Sequence, residues 1–191
     1  MSLAQSTNFI LVEDYLSAEL KQSIRHEYVD GQVYAMAGAS MNHNRITSNL
    51  VRLLGNHLAS QACEVFSRDM LLQTSANRYR YPDVVVSCQT QAENELLLSS
   101  PMLLVEVMSH STRKTDKEIK RLEYLQLPSL MEYMLIEQDF VEIEVLRRSQ
   151  NWQPSYYYLG DEVVFESIGL SLPVLEIYQR VVNRDMERSG F

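Results

Sequence analysis

Tyr81-Pro82-Asp83-Val84-Val85-Val86 and, after a polar connection, Met102-Leu103-Leu104-Val105-Glu106-Val107 decide how this chain folds. Each apolar run is short, rich in Val and Leu, and bounded by turn signals, which favours a strand buried on both faces over a helix. Pro82 lacks the N–H that a strand interior needs, so it belongs at the strand's start and places Asp83 at the entry. Each run carries one carboxylate. An ionised carboxylate in such a strand is expensive unless it is paired, hydrogen-bonded or bound to a metal. Two of them call for a common reason, and a shared cation is the simplest functional one.

Upstream, His26-Glu27-Tyr28-Val29 and Gln32-Val33-Tyr34-Ala35-Met36 flank Asp30-Gly31, a pair that supplies the positive φ values of a two-residue type I′ hairpin turn. Period two puts Glu27 and Val29 on one face. Residues 8–24 read as one or two short helical pieces, with Asn8 and Ser17 as caps. After Gly38 the period changes to 3.6. Ser40 or Asn42 caps a helix whose stripe is Ile46, Leu50, Leu53, Leu54 and Leu58. His43 and His57 lie near that stripe, where a histidine reads as a hydrogen-bonded core-edge residue before it reads as a ligand.

Residues 63–66 and 70–74 read as strands. Leu96-Leu97-Leu98 reads as a short helical turn covering the sheet. A helix from about Lys114 to Leu127 fits Ile119, Leu122 and Leu125 and stops at Pro128. Residues 131–136 and 141–146 form a hairpin, and strict alternation assigns Glu142 and Glu144 to a wet face. Strands over 152–159 and 162–165 follow, and a last helix begins near Pro173 with Ser171 as its cap. This order implies an α/β or α+β fold, a mixed sheet with helices packed against it. At 191 residues a single domain over 1–191 suffices.

With 46% hydrophobic and 22% charged residues, the composition is that of an ordinary globular protein. No basic leader with an apolar core opens the chain and no apolar run reaches the length of a membrane span, so a cytoplasmic location without membrane contact is expected. Cys63 and Cys88, without metal spacing, read as reduced thiols. A net charge of −8 argues against a protein that coats nucleic acid, because phosphate contacts supply most of that affinity. Any nucleic-acid contact must be local. The candidate patch is Arg113, Lys114, Lys117, Lys120 and Arg121, although taken alone it reads as a solvated helix face. Phosphate-cradling glycine motifs, serine elbows, HExxH and CxxC are absent.

Asp83 and Glu106 on adjacent strands form a hard-oxygen pair suited to Mg²⁺ or Mn²⁺, which takes one or two carboxylates with waters and substrate oxygens. The Val107 carbonyl could add a main-chain ligand. The structural alternative, Asp83 on turn amides and Glu106 paired with an Arg or Lys, is equally open from spacing alone.

A Pro-Asp strand start followed by a carboxylate in a second strand resembles the PD-(D/E)XK nuclease signature. More closely, the chain resembles the Uma-two-type family of restriction-endonuclease-like proteins, common in cyanobacteria. The matching segments are 27–31, 35–39 leading to His43, Tyr79-Arg80-Tyr81-Pro82-Asp83, residues 105–109, and Asp116, Lys120 and Tyr124. The resemblance implies a restriction-endonuclease-like fold with Asp83 and Glu106 as metal ligands and Glu27 as a further acidic residue for a second cation or a metal water. It also implies a metal-dependent endonuclease acting on DNA rather than RNA, with a homodimer as the common assembly. The signature's lysine, two positions after Glu106, is Met108 here. Lys120 is the replacement that the family's Asp-x-x-x-Lys-x-x-x-Tyr helix implies, and Lys117 is its rival. The alternative is a non-catalytic interaction module that keeps the fold.

Overall fold

The structure, a computed structural model, describes residues 9–36, 38–89 and 96–188. In chain order it runs α1 (Val12–Glu19), β1 (His26–Val29), β2 (Gln32–Ala35), α2 (Met41–Leu58), β3 (Glu64–Ser67) and β4 (Leu71–Ser75). Next come β5 (Arg78–Arg80), β6 (Val84–Ser87), β7 (Leu97–Leu98) and β8 (Leu103–Met108). A π-helical segment (Thr115–Lys120) runs directly into α3 (Arg121–Tyr124), followed by β9 (Glu132–Glu137), β10 (Ile143–Arg147) and β11 (Pro154–Tyr157). The described chain ends with β12 (Glu162–Phe165), β13 (Leu170–Pro173), α4 (Val174–Ile177) and α5 (Arg184–Arg188).

The fold is α+β with mixed sheets, as the order of elements implies, but the strands among the described residues divide into three sheets instead of one. The central sheet has the order β11-β10-β9-β8-β6-β3, with only the β8/β9 pair parallel. A second sheet, β2-β1-β5-β4-β7, carries the hairpin, whose Asp30 and Gly31 take φ of 48° and 90°, as the Asp-Gly turn requires. The chain passes from the second sheet to the central one at Tyr81-Pro82-Asp83, between β5 and β6.

Period two sorts the central strands onto two cores. Val84, Val86, Leu103, Val105 and Val107 face α2, packing on Ile46, Leu50 and Leu54. Val85, Leu104 and Met108 face the other way, onto Tyr124, Leu127 and Tyr133. Ser40 caps α2 through His43 N–H (3.1 Å), as expected, and the helix ends at Leu58, the last residue of its stripe.

Several expectations fail for identifiable reasons. Cys63 and Cys88 are joined in a disulfide, not left as thiols. The antiparallel register Glu64↔Ser87, continued one residue, sets the two cysteines opposite each other, and no spacing in the sequence announces that. Leu97 and Leu98 form a strand parallel to Leu71 and Leu72, where a helical turn was expected. Glu144 is buried, not wet, because Arg121 (2.5 Å) and Lys117 (3.4 Å) cover it. Helix α1 is one element with Ser17 inside it, and the expected cap Asn8 lies outside the described residues. Ser171 is a strand residue of β13, and the helix after Pro173 is a single turn. Trp152, at φ 60°, lies in the turn before β11.

Leu50 is fully buried between α2 and the central sheet. Leu50→Ala should lower the unfolding free energy by about 2–5 kcal/mol in urea titration, through lost transfer and the cavity left behind. An alkylating reagent should label neither of the two cysteines in the denatured, unreduced protein and both after reduction.

Candidate functional site

Strand register brings the two carboxylates together. Val84 pairs with Val105 across β6 and β8, so the next step of the ladder sets Asp83 opposite Glu106. Both lie on the face that carries Val85, Leu104 and Met108, beneath the segment that holds Lys120. Asp83 Oδ2 accepts the Val107 N–H at 2.8 Å, so a main-chain bond from the next residue on β8 steers the carboxylate. Met108 follows the same alternation into the apolar core, where it is wholly buried.

The cation absent from that strand arrives from the helix. Lys120 Nζ donates to Glu106 Oε1 at 3.0 Å, and the Tyr124 hydroxyl donates to the same oxygen at 2.8 Å. Lys120 Nζ also lies 3.2 Å from Glu27 Oε1 and 3.5 Å from Asp116 Oδ1. The segment winds as a π-helix, with Arg121 N–H reaching back to the Asp116 carbonyl, and Tyr133 OH bonds that carbonyl too (3.2 Å). Two of the three residues of the expected apolar stripe are turned away from the core, Ile119 at 50% and Leu122 at 70% exposed, while Leu125 packs on it and Asp116, Lys120 and Tyr124 are buried. Here the polar face is the inner face. Lys117, the rival, is engaged by Glu144 and Glu142 on the outer side.

Glu27 enters from β1 and is held by two cations, Arg80 Nη1 on its Oε2 (2.8 Å) and Lys120 on its Oε1. Arg80 in turn grips Glu123 through Nε (3.1 Å) and Nη2 (2.8 Å). His43, in the first turn of α2, places Nε2 3.0 Å from Asp83 Oδ2, and Arg68 Nε is 3.7 Å from Oδ1. His43 is the site residue that the sequence undervalued. Its signals were the family-like segment 35–39 that leads to it and the Ser40 cap three residues earlier, which fixes the first turn.

Glu27, His43, Arg68, Asp83, Glu106, Val107, Asp116 and Lys120 line a cavity of about 420 Å³ that also contacts Tyr34, Ser109, Ser111, Thr112, Thr115 and Gln138. Glu27, Asp83, Glu106 and Asp116 crowd round the single ammonium of Lys120. Burial pushes the Glu106 carboxyl well above the usual carboxylate range; Lys120 opposes the rise, and Asp116, Asp83 and Glu27 add to it. Burial also raises Asp116, with Lys120 and Thr112 opposing. Burial alone would depress the Lys120 ammonium, but Glu106, Glu27, Asp116 and Asp83 outweigh it and hold it well above its ordinary value. Glu27 goes the other way: burial is outweighed by Lys120 and Arg80, so its carboxyl is held below the usual range.

The donor set fits a hard divalent cation. Negative charge exceeds positive in the cavity, the acceptors are oxygen, and the upward shift of Glu106 is the strain that a cation would relieve. Among the described residues no group of three or more His, Cys, Asp or Glu side chains is arranged to hold a metal ion by itself. Mg²⁺ and Mn²⁺ do not need one, because waters and substrate oxygens complete their shells. Asp83 and Glu106 are the residues that would hold it. Of the five cations in the basic run only Lys114 is exposed. Arg113 bonds Glu137 (2.6 Å, twice), Lys117 and Arg121 meet Glu144, and Lys120 is inside.

The chain's likenesses show its family and its fold. The family model of Uma2, described as "Putative restriction endonuclease", matches residues 12–175. Two uncharacterized proteins of Synechocystis sp. are similar, slr1290 at 37% identity over 87% of this chain and 90% of its own length, and sll1609 at 34% over 75% and 84%. A crystal structure from Anabaena variabilis, described as a "putative nuclease belonging to DUF820", superposes with a TM-score of 0.76. It covers 91% of this chain and 99% of that one at 18% identity, a likeness of fold. No helix among the described residues is long and apolar enough to cross a membrane.

The raised Glu106 carboxyl fixes the sign of a pH effect. Its unfolded value is about 4.5, so the folded state is at no disadvantage below that pH and loses stability as pH rises toward and through the higher folded value. Urea unfolding of the metal-free protein should show this decline, and Glu106→Gln should flatten it. An identical decline in the variant would assign the effect to other groups.

Proposed function

Since the chain belongs to the Uma2 family, matched by that family's model over residues 12–175, we propose that it is a divalent-metal-dependent nuclease that hydrolyses phosphodiester bonds of DNA. The observation that carries this reading is the return of Lys120 to Glu106, at 3.0 Å, where the strand itself offers only Met108. An ammonium held there supplies the charge that a scissile phosphate needs, and a thioether cannot.

Each residue then has a role. Asp83 and Glu106, with the Val107 carbonyl, would hold Mg²⁺ or Mn²⁺. Such a cation polarises a phosphoryl oxygen and lowers the pKa of a water nucleophile. Lys120 orients that water and neutralises the phosphate. The Val107 N–H and His43 steer Asp83 through Oδ2, and Tyr124 fixes Glu106 through Oε1. Glu27 is better suited to orienting Lys120 than to a second cation, because both its oxygens already face cationic groups. Contact with DNA is local to the cleft and its rim, since Arg113, Lys117 and Arg121 of the outer run are paired with neighbouring carboxylates and Lys114 alone of that run is exposed.

Calorimetry with Mn²⁺ and cleavage of single- and double-stranded DNA and RNA test the reading together. Asp83→Asn and Glu106→Gln should lose both cation binding and cleavage. Lys120→Met should keep Mn²⁺ and cut about 10²–10³-fold more slowly, the usual cost of one electrostatic stabiliser. A wild-type protein that binds no divalent cation and leaves every substrate intact would overturn it.

A further inference from the structure

The guanidinium of Arg80 lies outside the cavity yet bonds both Glu27, which faces Lys120, and Glu123, on the helix that follows Lys120. Register explains how. β1 and β5 pair Tyr28 with Tyr79 and Val29 with Arg78, so the next rung sets Glu27 beside Arg80. Arg80 is only 4% exposed, and three of its N–H groups are committed. Nη1 goes to Glu27 Oε2 at 2.8 Å, and Nε and Nη2 go to the two oxygens of Glu123 at 3.1 and 2.8 Å. Glu123 belongs to α3, three residues after Lys120 and one before Tyr124. Thr74 Oγ1 and Arg78 Nη1 (3.4 Å) hold the same carboxylate from β4 and β5.

One planar fork therefore fastens the helix that carries Lys120 to the second sheet, and its third arm fixes the carboxylate on which Lys120 rests. Glu27 Oε1 shows the consequence. It is buried, it lacks a hydrogen bond of good geometry, and its nearest cation is Lys120 Nζ at 3.2 Å, while Nζ itself donates to Glu106 at 3.0 Å. With Glu27 pinned through Oε2, the ammonium is drawn by Glu27 without being captured, and it stays at Glu106.

We propose that Arg80 is a positioning residue that, through Glu27 and Glu123, sets Lys120 against Glu106. The kinetic part of its test rests on the nuclease reading; the spectroscopic part does not. A lysine cannot reproduce the fork, so Arg80→Lys keeps the charge and loses the geometry, and Glu123→Gln loosens the helix side alone.

The test is a double-mutant cycle with a second, activity-free readout. Single-turnover cleavage of DNA with Mn²⁺ is measured for wild type, Arg80→Lys, Glu123→Gln, Lys120→Met and the Arg80→Lys/Lys120→Met pair, beside melting curves and Mn²⁺ titrations. Arg80→Lys and Glu123→Gln should bind Mn²⁺ within about twofold of wild type and cleave about 10–100-fold more slowly, the range for residues that orient ligands. In the Lys120→Met background, Arg80→Lys should cost nothing more. Losses that multiply, or an Arg80→Lys enzyme with the wild-type rate, would overturn the proposal. In parallel, the ¹⁵N resonance of the Lys120 ammonium, assigned by its absence in Lys120→Met, is followed in the folded proteins. It should be protected from exchange in wild type and shifted or broadened in Arg80→Lys and Glu123→Gln. If wild type cuts nothing, the nuclease reading fails alone and this signal still decides: an unchanged resonance in both variants rejects the positioning role.

Discussion

One ammonium in a buried ring of carboxylates is the constraint on which the cleft depends. Lys120 lies within 3.0–3.5 Å of Glu106, Glu27 and Asp116. Taking an ammonium out of water costs several kcal/mol. A single carboxylate at such a distance returns roughly 4 kcal/mol at an effective dielectric near 20. One partner would about break even and three exceed the cost, so the lysine is held charged. The carboxylates do not share that gain equally, because each repels the others by similar amounts. The deficit falls on buried Glu106 and Asp116, while Glu27 is relieved by Arg80. The site thus keeps a surplus of negative charge that the protein alone does not cancel.

That surplus sits at a seam. Glu27 and Arg80 come from the second sheet, Asp83 and Glu106 from the central one, and Lys120, Glu123 and Tyr124 from the helical segment over both. Buried ion pairs are poor sources of net stability compared with apolar packing, but they tolerate few alternative geometries. Their place between elements is to set how the pieces meet. The apolar work is done elsewhere, by Ile46, Leu50 and Leu54 beneath one face of the central sheet and by Leu104, Met108 and Leu135 on the other.

Much of this was legible in the residues. The Asp-Gly turn, the Ser40-capped helix and the two strands bearing Asp83 and Glu106 are local signals, and local signals carry turn type, period and burial. Strand register is different. The pairing that opposes Cys63 to Cys88, or that splits the strands into separate sheets, depends on partners far along the chain. The helix after Glu106 misled through its own composition: Ile119 and Leu122 look like a core face, yet an ionic core claims the opposite side. Hydrophobic periodicity finds the inner face of a helix only where the interior is apolar. Glu144 fails as an outward residue for the same reason, since two cations cover it. His43 could not be weighed without knowing where the helix start points.

The displaced lysine has a further consequence. When cation and carboxylate stand two residues apart on one strand, any chain that forms that strand already holds both. Here 14 residues and a π-helical turn separate Glu106 from Lys120, and Arg80 approaches from another sheet. The acidic half and the basic half meet only when the long-range architecture closes. A nascent or partly unfolded chain would carry the groups without the constellation, so chemistry at this centre would be conditional on completed folding. The site would then act as its own quality check.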